Sequence, residues 1–318
     1  MMRFDLREGP DAAAPDLYRA ALDMAAWAEH HGCLAVALSE HHSAEGHLPS
    51  PLMMAAALAG RTESVPILVA AAILPLYDPV RLAEDLVVLD LVSGGRVSVV
   101  LGLGYRPEEF ALYGLPFAER AALVEARLPV LLDALREGRV GDGTRSGRVR
   151  PRPSTPGGPP LAYGGASCAA ARRAARFGLD LLAQTDREEL REAYLAECAA
   201  VGREPGQITL PSPETSQATF VADDLDRAWD ELGPCLLRDA TTYAGWNGGD
   251  TTTVSLSAAT TVEELRAERR SHRIVTEDEA RELLREQGYL ALHPLCGGIP
   301  PATAWPYLRR AAEVVAGS

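Results

Sequence analysis

Short apolar runs alternate along this chain with longer segments in which apolar positions recur every three or four residues. The first pattern is that of buried strands and the second that of amphipathic helices. A strand is expected at 3–6 (RFDL), then a helix over 15–31, in which Leu17, Ala21, Met24 and Ala28 share one face and Gly32 is the stop. A second strand, 33–39, leads to a helix near SPLMMAAALAGR with Ser50 as its N-cap. The third strand, 67–74, is followed by a helix over 79–93 opened by Pro79. The fourth, 96–104, precedes a helix over 118–138.

A Gly- and Pro-rich stretch at 141–160 then interrupts the pattern. The alternation resumes directly after it, so it reads as a long loop inside one domain covering 1–318. Strands at 160–165 and 179–185 are each followed by a helix, at 168–177 and 187–201. A seventh strand is expected at 216–223, an eighth at 288–295, and a last helix at 302–315. Eight strand–helix units in strict order predict an α/β protein, a (β/α)8 TIM barrel. Residues 235–275 exceed what one barrel unit needs and read as an insertion or lid between strands seven and eight.

Composition narrows the functional classes. The 318 residues are 47% hydrophobic, enough for a large buried core. All 31 basic residues are arginine, and the net charge is −13 with the two signs interspersed. Nucleic acid and anionic membranes both require a basic face, so neither is expected as a partner. Five scattered cysteines with no CxxC pair fit a reduced, cytoplasmic setting, and no signal-like or 18-residue apolar stretch is present.

In a barrel of this kind, chemistry gathers at the C-terminal strand ends. Here those ends include Asp5 to Arg7, Glu40 to His42, Ala71 to Pro75, Gly102 to Tyr105, Gly164 to Ser167, Gln184 with Thr185, and His293 to Gly298. In YGGASCAAARRAARFG, Gly164 and Gly165 close a strand and Ser167 precedes a helix. Its free N–H groups and the serine hydroxyl suit a phosphate, or the serine is a plain N-cap after a glycine turn. Gly102 and Gly104 leave room for a flat ligand or simply make a turn. Arg106 faces an anion or pairs with Glu108 or Glu109 on the surface. Tyr105 is a pocket-lining candidate, and Trp246, in the glycine-rich part of the insertion, is a candidate lid residue. The stretch SEHH (39–42) admits a metal site, acid–base catalysis by His41, or supporting hydrogen bonds from Glu40 and His42. No HxH pattern and no lysine accompany it, which places metal last.

The block over 39–114, with its EHH motif, the AAILP strand end, PVRLAEDLVVLD, SGGR and GYRPEEF, resembles the bacterial luciferase-like flavin-dependent monooxygenases. GGASCAAARRAARFG extends the resemblance into the fifth unit. The resemblance implies a barrel that holds reduced FMN or the deazaflavin coenzyme F420 non-covalently at its mouth. FMN-using members oxygenate substrates with O2 and draw on NAD(P)H, in some cases through a partner flavin reductase, whereas deazaflavin-using members transfer hydride. It places His41 beside the flavin as the catalytic group, a non-proline cis peptide at Ala70–Ala71 or Ala71–Ala72 under the ring, and the phosphate at Gly165, Ala166 and Ser167. Leu103 stands where luciferase-type members carry a phosphate-binding arginine, with Arg106 or Arg152 as substitutes. The tail LHPLCGGIPPATAWPYLRRAAEVV is similar to the deazaflavin branch. His293, at the eighth strand end, is a further candidate on the substrate and lid side. A small-molecule substrate and a homodimer through the second and third helices are implied too, and a non-catalytic flavin-binding subunit is the alternative to an enzyme.

Overall fold

The run Val97, Val99, Val100 and Leu101 is buried almost completely. Such a continuous apolar run belongs to a parallel strand covered on both faces. In the computed structural model it is the strand Val97–Gly102. The structure describes all residues except 5, 142, 213, 214, 249–252, 254, 255 and 318. It forms two compact units: one of Met1–Ala37, Ala44–Leu48 and Pro211–Ser318, the other of Leu38–Ser43 and Pro49–Leu210.

In the second unit, Ile67–Ile73, Val97–Gly102, Leu161–Gly165, Asp180–Ala183 and Ile208–Thr209 lie side by side in that order, every neighbouring pair parallel. Parallel neighbours require crossover connections. The helices Pro79–Ser93, Arg120–Glu137, Cys168–Phe177 and Glu188–Val201 lie in these connections, and Pro51–Arg61 precedes the first strand. The pattern-based boundaries of the helices at 79–93 and 168–177 coincide with the observed ones. Ser50 does occupy the N-cap position, but its hydroxyl makes no capping bond, whereas Asp78 caps the next helix by accepting from the N–H groups of Val80 and Arg81. The loose stretch carries a small antiparallel hairpin, Arg139–Gly141 with Ser146–Arg148.

The chain after that hairpin is tied down by one carboxylate. Asp90, completely buried, accepts from Ser154 N (2.7 Å) and Oγ (2.6 Å) and from Thr155 N (3.0 Å) and Oγ1. Burial alone would raise the Asp90 carboxyl, but these four donors override it and hold it below the ordinary range.

In the first unit, Met2–Arg3 runs parallel to Val36–Leu38, with Met2 opposite Val36 and Arg3 opposite Ala37. Met2 also bridges in parallel to Leu292, which is what remains of the expected eighth strand. Ala218–Val221 pairs in parallel with His272–Val275, a strand that the pattern did not predict. The expected insertion therefore needs correcting. Residues 235–246 continue the helix Leu225–Trp246, and 272–275 are sheet. Part of the proposed lid and Asp5 lie outside the described residues. Val221, Val275, Ala280, Leu290, Ala311 and Val314 form an apolar core in this unit.

Beside that apolar core sits a buried polar network. Arg3 donates to His293 Nδ1 (3.2 Å), Gln217 Oε1 (2.8 Å) and Asp239 Oδ2 (3.2 Å). His272 Nε2 donates to the same Asp239 oxygen at 2.8 Å. Burial would raise the Asp239 carboxyl, but Arg3 and His272 outweigh it and keep the group anionic. Burial and the Arg3 charge both push His293 well below its ordinary value, so it is neutral in the fold.

Asp90→Ala should cost about 3 kcal/mol, since it leaves several buried donors unmade. Its folded-state value is depressed, so its contribution is complete above about pH 4 and fades as the pH falls further. Denaturant unfolding of both proteins at pH 7 and pH 3.5 should show the gap between them narrowing in acid. Asp239→Ala strands the Arg3 charge and should cost about 3–5 kcal/mol in the same measurement. His293 acts in a higher window: its neutral form is favoured in the fold, so wild-type stability should fall as the pH drops below about 6.5. His293→Gln should flatten that slope.

Candidate active site

In the second unit, the strand ends bring together a cluster of buried polar side chains. Glu40, His41, His42, Arg106 and Glu109 are each at most 7% exposed. Arg106 immediately precedes the helix Pro107–Leu112, opened by Pro107, and Glu109 stands in its first turn. The Glu109 Oε1 atom accepts from His41 Nδ1 (3.3 Å), the His42 backbone N–H (3.1 Å) and Arg106 Nη1 (3.1 Å). Arg106 Nη1 also donates to the His42 carbonyl at 2.9 Å. Arg106 thus pairs with Glu109, as one reading of the sequence had it, but in the interior rather than on the surface. Burial alone would raise the Glu109 carboxyl; the hydrogen bond from His41 is the largest of the effects that hold it low. Glu109 is therefore an anion, able only to accept.

A second carboxylate fixes the neighbouring strand. Glu40 accepts from His42 Nε2 (2.8 Å) through one oxygen and from the Ile73 backbone N–H (2.7 Å) through the other. Tyr113 O–H donates to His42 Nδ1 at 3.1 Å. Burial, together with the adjacent Glu40, pushes the Tyr77 hydroxyl far above its ordinary value. Glu40 and His42 thus have the supporting arrangement expected of them, and the two histidine rings serve different carboxylates. Tyr105 lies edge-on to His41, ring centroids 5.9 Å apart.

The cis peptide stands at Ala70–Ala71. Ala71 is the extra residue of a bulge: Ala70 faces Val100 and Ala72 faces Leu101. A Cβ at Gly102 would approach that of Ala71 to 3.0 Å. Gly104 has φ +77°, and a Cβ there would meet Ile73 and Phe110 at 2.8 Å. Packing within the protein already accounts for both glycines.

At the fifth-unit helix, Ser167 Oγ accepts from Ala170 N at 3.2 Å, an N-cap. Gly165 lets the helix close on the strand, since a Cβ there would come within 2.6 Å of Ala170 Cβ. A Cβ at Gly164 would meet Val100 at 3.0 Å. The first N–H groups of the helix have no intrahelical acceptor. The Arg187 guanidinium donates to the Ala166 carbonyl, bringing a positive charge to the same loop. Neither suggested substitute for an arginine at Leu103 is placed to do so. Arg106 is engaged by Glu109, and Arg152 donates to the Arg136 carbonyl at 2.6 Å while packing on Gly138. Sequence reasoning offered Glu109 only as a surface partner for Arg106, and it passed over Arg187. The one available signal was Glu109 three places after Arg106 in a Pro-opened helical turn.

Two other sequence-selected residues lie in the first unit. Trp246 ends the helix Leu225–Trp246, rather than sitting in a loop, and meets His47 and Tyr243 edge-on at 4.7 and 5.2 Å. His293 belongs to the Arg3 network. The ligand-type atoms of Asp239, His293 and Cys296 lie within 4.8 Å of one another, a spacing that a metal ion can use. However, His293 Nδ1 accepts from Arg3, so a neutral ring carries its proton on Nε2 and has no lone pair there for a metal. All five cysteines are free thiols. No helix among the described residues is long and apolar enough to cross a membrane.

The alkanal monooxygenase alpha chain of Photorhabdus laumondii is 30% identical over 151 residues, 46% of this chain and 42% of that one. The similarity therefore spans less than half of that relative. The monooxygenase RslO1 from Streptomyces bottropensis shares the fold at a TM-score of 0.77, with 22% identity and 99% of both chains covered. So does the oxygenating constituent of 3,6-diketocamphane monooxygenase from Pseudomonas putida, solved with FMN, at a TM-score of 0.68, 18% identity and the same coverage. The family model for luciferase-like monooxygenases matches residues 2–297, and the chain belongs to that family.

Proposed function

We propose that the protein is a flavin-dependent monooxygenase that uses reduced FMN and O2 on a small organic substrate, with NAD(P)H as indirect reductant by way of a separate flavin reductase. The observation that carries this reading is His41, buried at a strand end with its Nδ1 on an ionised carboxylate, in a chain of this family. The reading takes the chain as a single cytoplasmic domain, a closed (β/α)8 barrel.

The residues at 165–167 fit a phosphate: a capped helix start, glycine-permitted close approach, and the Arg187 charge beside the Ala166 carbonyl. Gly164 to Ser167 would hold that group, and Ala70, Ala71, Gly102 and Gly104 would lie along the ring. Bound reduced flavin supplies the electrons for oxygen chemistry. His41 accepts or returns a proton at Nε2, while Glu40 and His42 keep the strand ends in register. Tyr105 would border the substrate. The exposed Met53 on Pro51–Arg61, with Val88, Leu91 and Val92 one helical turn apart on Pro79–Ser93, favours a homodimer through these helices.

Titration with FMN, reduced FMN and coenzyme F420 tests the cofactor. Micromolar binding of reduced FMN, with O2-dependent NAD(P)H consumption once a reductase is added, is expected. Tight deazaflavin binding with no need for oxygen would replace the reading with a deazaflavin-dependent dehydrogenase. His41→Ala should lower turnover by about 10²-fold with little change in flavin affinity; an unchanged turnover would exclude His41 from catalysis, whereas a wild type that binds flavin without any turnover would be a non-catalytic flavin-binding subunit. Arg187→Ala should weaken FMN about tenfold, ~1.4 kcal/mol, and leave riboflavin, which lacks the phosphate, unaffected. Val92→Asp should give a monomer by light scattering.

A further inference from the structure

We infer that Glu109 is a positioning residue for His41: it fixes the neutral imidazole as the Nδ1–H tautomer, and Arg106, 3.1 Å from the same carboxylate oxygen, holds Glu109 in place to do so. The assignment rests on the proposed catalytic role of His41 for its functional meaning, but its geometry stands without a flavin.

The argument begins with what each atom can do. An ionised carboxylate has no proton to give, so the 3.3 Å contact between His41 Nδ1 and Glu109 Oε1 is a hydrogen bond only when Nδ1 carries hydrogen. A neutral imidazole has one N–H, so Nε2 then holds a lone pair. The opposite tautomer would set a lone pair against a buried anion. Glu109 is completely buried and cannot turn to water to relieve that repulsion.

The carboxylate is itself held from two further sides. The His42 N–H and Arg106 Nη1 both reach Oε1 at 3.1 Å, and Arg106 is fixed in turn by its 2.9 Å bond to the His42 carbonyl. Glu109 Oε2 is buried with no hydrogen-bond partner among the described residues, so the other oxygen bears the whole set of contacts. His41 and His42, adjacent in sequence, are thereby given opposite tautomers. His42 gives Nε2–H to Glu40 and accepts at Nδ1 from Tyr113. One ring is a strut, and the other presents a basic nitrogen away from its carboxylate.

A proton taken by His41 at Nε2 produces an imidazolium that still donates from Nδ1 to Glu109. The positive charge so formed lies against an anion already in place, and no heavy atom has to move. Return of the proton from Nε2 restores the starting tautomer.

The test reads the tautomer directly, by two-bond nitrogen–proton correlation of the histidine rings in flavin-free, 15N-labelled protein. Neutral His41 in the native protein should show a protonated Nδ1 and an unprotonated Nε2; the reverse pattern would overturn the assignment. Glu109→Leu alone strands the Arg106 charge and can unfold the protein, so it is made together with Arg106→Met. In that double variant His41 should move predominantly to the Nε2–H form, and retention of Nδ1–H would also overturn the assignment. Glu109→Gln should lower kcat on the order of 10²-fold with flavin affinity changed less than about threefold, and Glu109→Asp should recover part of the loss. Equal losses in kcat and flavin affinity would show a merely structural carboxylate. If the native tautomer is as stated but no flavin binds, the positioning stands and the monooxygenase reading fails.

Discussion

One carboxylate oxygen organises the site. Glu109 Oε1 takes hydrogen bonds from a catalytic candidate, a backbone amide and an arginine, and no solvent reaches it. In water such a contact would be worth little. In the interior each donor matters, because an unmade bond to a buried anion costs several times what a surface pair contributes. The three donors come from residues 41, 42 and 106, so the carboxylate joins the segment after the second strand to the turn after the fourth. Glu40 does the same for the second and third, through the Ile73 amide. The strand ends are therefore cross-linked by charge as well as by the sheet, and the histidine between the two carboxylates inherits their rigidity.

The units use buried charge for different ends. In the first, Arg3, Asp239, His272 and His293 interlock, with Arg3 and His272 converging on one Asp239 oxygen. That arrangement specifies packing, and it removes His293 from the metal chemistry that its neighbours would otherwise suggest. In the second, the cluster directs one ring nitrogen of His41 at a carboxylate. The difference lies in which ring atom faces the carboxylate, a matter of a single rotamer and a single proton.

Much of this was legible in the chain. Apolar runs and period-3.6 patterns located four of the five parallel strands of the second unit, and two helices to the residue; Ile208–Thr209 is too short to leave such a run. The EHH motif marked His41 and divided it from His42, since adjacent side chains on an extended segment diverge. What stayed hidden was short or long-range. His272–Val275 contributes only two apolar residues and is flanked by charge, so its pairing with Ala218–Val221 decides its state rather than its own pattern. The segment 235–246 looked like an insertion because its glycines and threonines read as loop, yet it continues a helix already begun at Leu225. Glu109 appeared to be a surface acid because PEEF offers two adjacent glutamates, and nothing local says which of them turns inward. Arg187 is 21 residues from the carbonyl it contacts, beyond any local pattern.

The way the chain is divided has a bearing on synthesis. The second unit is made almost wholly of one continuous stretch, Pro49–Leu210, with Leu38–Ser43 just ahead of it. The first unit combines the N-terminal segment with Pro211–Ser318. On the ribosome, the parallel strands and the Glu109 cluster are complete before the last third of the chain exists. Met1–Ala37 must meanwhile wait, on the order of ten seconds at ordinary elongation rates, for the residues that will cover its apolar face. During that interval Trp27 of the first helix lacks Trp305, the ring that it meets edge-on in the folded protein, and its apolar side stays open to chaperones.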